Sequence, residues 1–137
     1  YQWLQNYLTI MQIRYEGKFE VRYNIDEAVS ACMVPKLILQ PLVENAIMHG
    51  FRGLKRKGIL IIYAKKEDEK ICIGVKDNGA GMTPETIRGA MEQTSNRIGL
   101  GNVIRRIQLL YGENGSVDIW SEAGEGTEIR IYFPMKS

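Results

Sequence analysis

A single histidine, two cysteines and no long apolar run set the first limits on this chain. With His49 as the only imidazole, there is no Ser/His/Asp set for nucleophilic hydrolysis. Cys32 and Cys72 lack metal-ligand spacing, and a disulfide framework would normally use more cysteines, so both are expected to be reduced thiols of a cytosolic protein. No stretch of about 20 apolar residues occurs, so nothing here is expected to span a membrane, and no signal peptide is visible. Basic runs interleaved with aromatics are missing too, which sets nucleic acid aside as a partner. Lys55-Arg56-Lys57 reads as a solvated turn. Neither common nucleotide signature is present: there is no G-x-x-x-x-G-K-[ST], and no G-x-G-x-x-G opening a helix after a first strand. The chain opens Tyr1-Gln2-Trp3 without an initiator Met, as expected of a piece cut from something longer.

What is present suits one globular domain: 137 residues, 45% hydrophobic and 25% charged, with a net charge of +2. Leu4, Leu8, Met11 and Tyr15 line one side of a helix predicted over residues 2–15. Phe19 to Ile25 alternates apolar and polar, the period of a half-buried strand. A short strand is expected over Ala31 to Val34, stopped by Pro35, and then a helix to about Phe51 that Gly50 and Gly53 end. Pro41 removes one backbone hydrogen bond from that helix, which therefore starts late or bends there. The continuous apolar run from Gly58 to Ala64 predicts a strand covered on both faces. Beyond a charged turn, Ile71, Ile73 and Val75 continue into an antiparallel partner ending at Asp77. Thr83-Pro84-Glu85 signals a helix start, yet few large apolar residues anchor residues 83–98, which predicts a mobile flap. An amphipathic helix from Val103 to Tyr111 stops at Gly112, and strands at 117–120 and 128–133 flank a turn. The order predicts an α/β fold: a two-layer α/β sandwich with a mixed, mainly antiparallel sheet and about three helices on one face.

The rest of the chain is organised around Leu39-Gln40-Pro41-Leu42-Val43-Glu44-Asn45-Ala46-Ile47-Met48-His49-Gly50. Its apolar residues recur at helical spacing, while Asn45 and His49 share another face. An amide oxygen suits a hard cation and an imidazole one turn away can bond an anion, although the same pattern fits a core helix with polar residues facing water. Asp77-Asn78-Gly79-Ala80-Gly81 stands at a strand end. Its carboxylate can accept from an exocyclic amine, with Gly79 and Gly81 letting a flat ring approach, or it is only a tight turn. Gly99-Leu100-Gly101 immediately precedes a helix, whose free N–H groups form a natural phosphate site. Gly124-Glu125-Gly126-Thr127 reads, alone, as a hairpin turn.

Taken in order, these four motifs resemble the N, G1, G2 and G3 boxes of the GHKL ATP-binding superfamily. Leu39 to Ala46 with His49-Gly50, Gly99 to Val103, and the lead-in residues Tyr7-Leu8 and Ile13-Arg14-Tyr15 look like the catalytic domain of LytS/YesM-type sensor histidine kinases. The resemblance implies a Bergerat fold and one catalytic domain over residues 1–137, with a lead-in helix at 1–16 and an ATP lid at 83–98. It implies ATP and Mg²⁺ as cofactors. Asn45 would hold the metal and, with Glu44 and His49, stand among the catalytic residues. Asp77, Gly79, Gly81, Met82 and Thr127 would surround the adenine, with Gly99, Leu100 and Gly101 at the phosphates. Met48 departs from the lysine often found there.

Hydrolytic GHKL members carry a glutamate four residues before the asparagine, where this chain has Pro41, which can serve as no base. Glu44 lies about 100° around the helix from Asn45 and would have to swing to substitute. The resemblance therefore implies a histidine kinase domain that passes the γ-phosphate to a histidine on an upstream dimerisation domain, from which a response regulator takes it. The acceptor is not in this sequence, so the fragment is not expected to phosphorylate itself. The full-length protein is expected to be a homodimer anchored in the cell membrane, with this domain cytoplasmic. The rival readings are a GHKL-type ATPase or serine kinase, and a non-catalytic nucleotide-binding module.

Overall fold

In the computed structural model, residues 2–26, 36–51, 53–91 and 98–134 are described. Helix α1 spans Gln2–Arg14 and strand β1 Phe19–Ile25. Helix α2 covers Lys36–Asn45 and passes directly into a π-turn at Ala46–Gly50. Strands β2 (Gly58–Glu67) and β3 (Lys70–Asp77) follow, then helices α3 (Pro84–Met91) and α4 (Ile98–Tyr111). Strands β4 (Ser116–Glu122) and β5 (Gly126–Pro134) close the chain. The expected strand at Ala31 to Val34 lies outside the described residues, as does the flap segment at 92–97.

The sheet runs β1-β2-β3-β5-β4. Its hairpins are antiparallel as the sequence predicts, while β1 pairs with β2 in parallel, Phe19 opposite Gly58. Parallel neighbours need a crossover, and α2 supplies it. Cross-strand register divides the sheet into two faces. One carries Leu60, Ile62, Ile73, Val75, Ile129 and Ile131, all buried with Leu4 and Leu8 of α1, Leu42 and Val43 of α2, and Val103 and Ile107 of α4. The helices therefore share a single core with that face, the expected two-layer sandwich.

The other face corrects one expectation. From Gly58 to Ala64, β2 alternates between buried and half-buried instead of being covered twice. A lattice of cross-strand side chains replaces a second helical layer. Tyr63 lies against Gly74, where any side chain would collide with its ring. Its hydroxyl donates to Glu128 at 2.7 Å and accepts from Arg130 Nε at 2.8 Å, and the Arg130 guanidinium sits 4.5 Å over the Trp120 ring. Burial disfavours the Glu128 anion, but the bonds from Tyr63 and Arg130 outweigh it, and the carboxyl is held below its ordinary range.

Candidate nucleotide-binding site

At one end of the helix-facing side, the apolar rows of the sheet give way to a polar one. Leu60 pairs with Asp77, Asp77 with Thr127, and Thr127 with Ser121. One row deeper stand Ile62, Val75, Ile129 and Ile119, so strand alternation puts the polar side chains on the same face as the core. Asp77 and Thr127 are buried, and Asn45 at the end of α2 is buried as well. A buried polar side chain is costly unless bonded. Among the described residues, no buried side-chain nitrogen or oxygen lacks a hydrogen-bond partner.

Three loops meet at this end. The Gly79 N–H donates to Asp77 Oδ1 at 2.8 Å, an Asx turn that fixes the carboxylate. The Ala80 N–H donates to the Gly50 carbonyl at 2.8 Å, and the Gly124 N–H to the Ala80 carbonyl at 2.7 Å. The expected motifs thus touch through backbone. Gly79 must be glycine because a Cβ there would collide with the Gly50 carbonyl. Gly126, at φ +135°, presses equally close on the Asp77 carbonyl. Here the smallness of the residue serves contact between segments of the protein itself.

Several residues of this junction carry no signal in the sequence. Ser121 Oγ accepts from the Met82 N–H at 2.6 Å and lies 3.0 Å from the Gly126 carbonyl and 2.8 Å from Thr127 Oγ1. Arg56 Nη2 donates to the Asn78 carbonyl at 2.6 Å and the Gly124 carbonyl at 3.2 Å. The Asn78 side chain accepts from the Ile59 N–H at 2.7 Å and donates to the Lys57 carbonyl at 3.2 Å, which ties the turn to the start of β2. Arg56 belongs to the run expected to be only a solvated turn; its guanidinium clamps two loops.

Three expectations about the helices are decided or changed. Pro41 lies inside α2, so the helix does not start late. Beyond Asn45 the Phe51 N–H bonds to the Ala46 carbonyl, an i→i+5 closure, so Asn45 and His49 are not simple α-helical neighbours. His49 is half-buried on this widened turn and Met48 is exposed. Gly99-Leu100-Gly101 does not precede a helix but lies in the first turn of α4. First-turn N–H groups have no partner in the helix, so the anion-binding argument survives the shift. Glu44, half-buried, accepts from the Tyr7 hydroxyl at 2.9 Å and from Gln40 Nε2 at 3.0 Å, both through Oε1. Burial first, and then the Glu44 carboxylate, push the Tyr7 phenol well above its ordinary value.

The donor set fits a nucleotide with its magnesium. Among the described residues there is no group of three or more His, Cys, Asp or Glu placed to hold a metal. Mg²⁺ bound with a nucleotide commonly takes one or two protein oxygens beside phosphate and water, which an asparagine amide can provide. No helix among the described residues is long and apolar enough to cross a membrane.

Comparison with known proteins agrees with this geometry. Residues 34–137 match the family described as histidine kinase-, DNA gyrase B-, and HSP90-like ATPases, and the chain belongs to that family. Over 133 residues it is 41% identical to the sensor histidine kinase YpdA of Escherichia coli (strain K12), a match covering 96% of this chain and 23% of that protein. To the sensor histidine kinase YesM of Bacillus subtilis (strain 168) it is 39% identical over 135 residues, covering 98% of this chain and 23% of that one. The chain thus spans about a quarter of the length of these relatives. The histidine kinase domain of the blue-light activated kinase from Erythrobacter litoralis EL346 shares the fold with a TM-score of 0.72 at 18% identity, over 98% of this chain and 60% of that one. So does full-length ShkA, solved in complex with AMPPNP, with a TM-score of 0.71 at 19% identity over 98% of this chain and 29% of that one.

Proposed function

We propose that this domain binds Mg²⁺-ATP and, within a longer protein, delivers the γ-phosphate to a histidine on an upstream dimerisation domain, from which a response regulator receives it. The observation that supports the reading is the buried Asp77–Thr127 pair, around which the backbones of Gly50, Ala80 and Gly124 are hydrogen-bonded in series, with Asn45 also buried. Asp77 accepts from the adenine amine beside Gly79, Gly81, Met82 and Thr127. Asn45 holds Mg²⁺ through its amide oxygen, and the first turn of α4 at Gly99, Leu100 and Gly101 turns N–H groups to the phosphates. ATP supplies the transferable phosphoryl group, and the protein's part is to position it and offset its charge. His49 and Glu44 stand at the phosphate end of this arrangement. Residues 1–16 and 83–98 act as lead-in and lid of a single domain. The full-length protein is a membrane-anchored homodimer with this domain on the cytoplasmic side.

Calorimetry with ATP, with and without Mg²⁺, on the wild type and Asp77→Asn tests the site. The expected result is magnesium-strengthened binding that the substitution abolishes; absence of binding at millimolar ATP overturns the reading. Transfer to a separately supplied acceptor hairpin then tests the reaction. An ATPase or serine kinase is the second reading, and Pro41 one turn before Asn45 in α2 disfavours it by leaving no carboxylate there.

A further inference from the structure

We infer that Tyr7 is a positioning residue for the magnesium asparagine, acting through Glu44. The inference rests on the proposed role of Asn45 and adds a connection that the motifs do not contain. Tyr7 lies on α1 and Glu44 on α2, 37 positions later, and their side chains meet at 2.9 Å. Gln40, one turn back on α2, donates to the same carboxylate oxygen at 3.0 Å. Two donors on one oxygen, from two helices, fix the direction of the Glu44 side chain. Glu44 is the residue immediately before Asn45, and at Asn45 the regular helix ends and the wider π-turn begins. Such π-turns are rare interruptions of α-helices that concentrate at functional sites, which gives the anchoring of the residue before Asn45 a place in the site. Leu4, Leu8 and Met11 fasten α1 to the same core as Leu42, Val43 and Ile47, so α1 is a firm support.

A metal-selective effect separates this role of Tyr7 from that of a residue that merely stabilises the fold. The test is ATP calorimetry at several Mg²⁺ concentrations on the wild type, Tyr7→Phe and Gln40→Met, with thermal melts of each. Tyr7→Phe is expected to weaken Mg²⁺-dependent ATP binding about fivefold, the worth of one lost hydrogen bond. Metal-free ATP binding, set by Asp77, stays as in the wild type. Gln40→Met gives a smaller loss and reads the clamp independently if Tyr7→Phe melts below the assay temperature. Equal metal response in the wild type, Tyr7→Phe and Gln40→Met overturns the inference and leaves the site assignment intact. Parallel loss of metal-free and metal-dependent binding makes Tyr7 a fold residue and overturns it too. A wild type that binds no ATP overturns the functional reading and this inference together.

Discussion

A Cβ placed on Gly50 would stand 3.0 Å from Oδ1 of Asp77. The last residue of the π-turn therefore packs closely against the carboxylate that we propose meets adenine. Gly50→Ala is tighter than ordinary van der Waals contact, and the carboxylate can yield only by straining the bond that it accepts from the Gly79 N–H. We expect the variant to fold and melt close to the wild type while its ATP affinity drops about tenfold, equivalent to about 1.4 kcal/mol. Parallel melts and calorimetry check this, and unchanged affinity would show that the carboxylate has room to spare.

Gly79→Ala should behave differently, because the obstruction there is the Gly50 backbone carbonyl. The loop must shift and the Ala80-to-Gly50 hydrogen bond must break. Overpacking of this kind costs about 1–3 kcal/mol. A fall in Tm of about 5–10 °C is expected, together with loss of nucleotide binding.

Ser121→Ala removes a hydroxyl that joins the Met82 N–H to the Gly126–Thr127 corner. Leaving that N–H without its acceptor costs about 1–2 kcal/mol. The expected result is a modest drop in Tm with weaker ATP binding, and Ser121→Thr should recover part of both. Thermal melts and ATP calorimetry of the two variants decide it.

The outer-face lattice gives stability a pH dependence. Tyr63 and Arg130 hold the Glu128 carboxyl below its ordinary value. A depressed folded pKa contributes stability that is present above the unfolded value, near pH ~4.3, and is lost as pH falls through the folded one. Glu128→Gln and Tyr63→Phe should therefore be less stable than the wild type at neutral pH, by about 1 kcal/mol, and the gap should close in strong acid. Melts along a pH series test the sign.

Cys72 is buried, and burial pushes its thiol up. In a Cys32→Ser background, alkylation by iodoacetamide should be slower than for a free cysteine. It should keep climbing with pH where an ordinary thiol, titrating near pH ~8.5, has begun to level.

The hairpins were legible because period-two alternation and charged or glycine-rich turns are local signals, and β2–β3 and β4–β5 follow them. Of the residues in the ordered boxes, Asp77 and Thr127 pair across neighbouring strands and are buried, and Asn45 is buried as well. What failed depended on tertiary context. The apolar run of β2 reads as doubly covered, yet Ile59, Ile61 and Tyr63 are only half-buried, and Tyr63 meets Glu128 and Arg130 from another strand. Gly99 and Gly101 read as loop because glycine disfavours a helix by about 1 kcal/mol, but α4 begins before them. Gly101 is buried there, and the packing of α4 on α2 outweighs that cost. The Ser121 hub, the Arg56 clamp and the Tyr7–Glu44 pair join residues far apart in sequence, and no periodicity announces them.

The parallel pairing of β1 with β2 sets an order of assembly. The two hairpins close over a few residues, whereas Phe19 finds Gly58 only after the intervening crossover is in place. β1 also sits at the edge of the sheet with one neighbour. Its amides should be among the first in the sheet to exchange with deuterium. Leu4, Leu8 and Phe19 meanwhile hold α1 and β1 in the common core, so early exchange there would report the open edge of the sheet and not release of the amino-terminal elements.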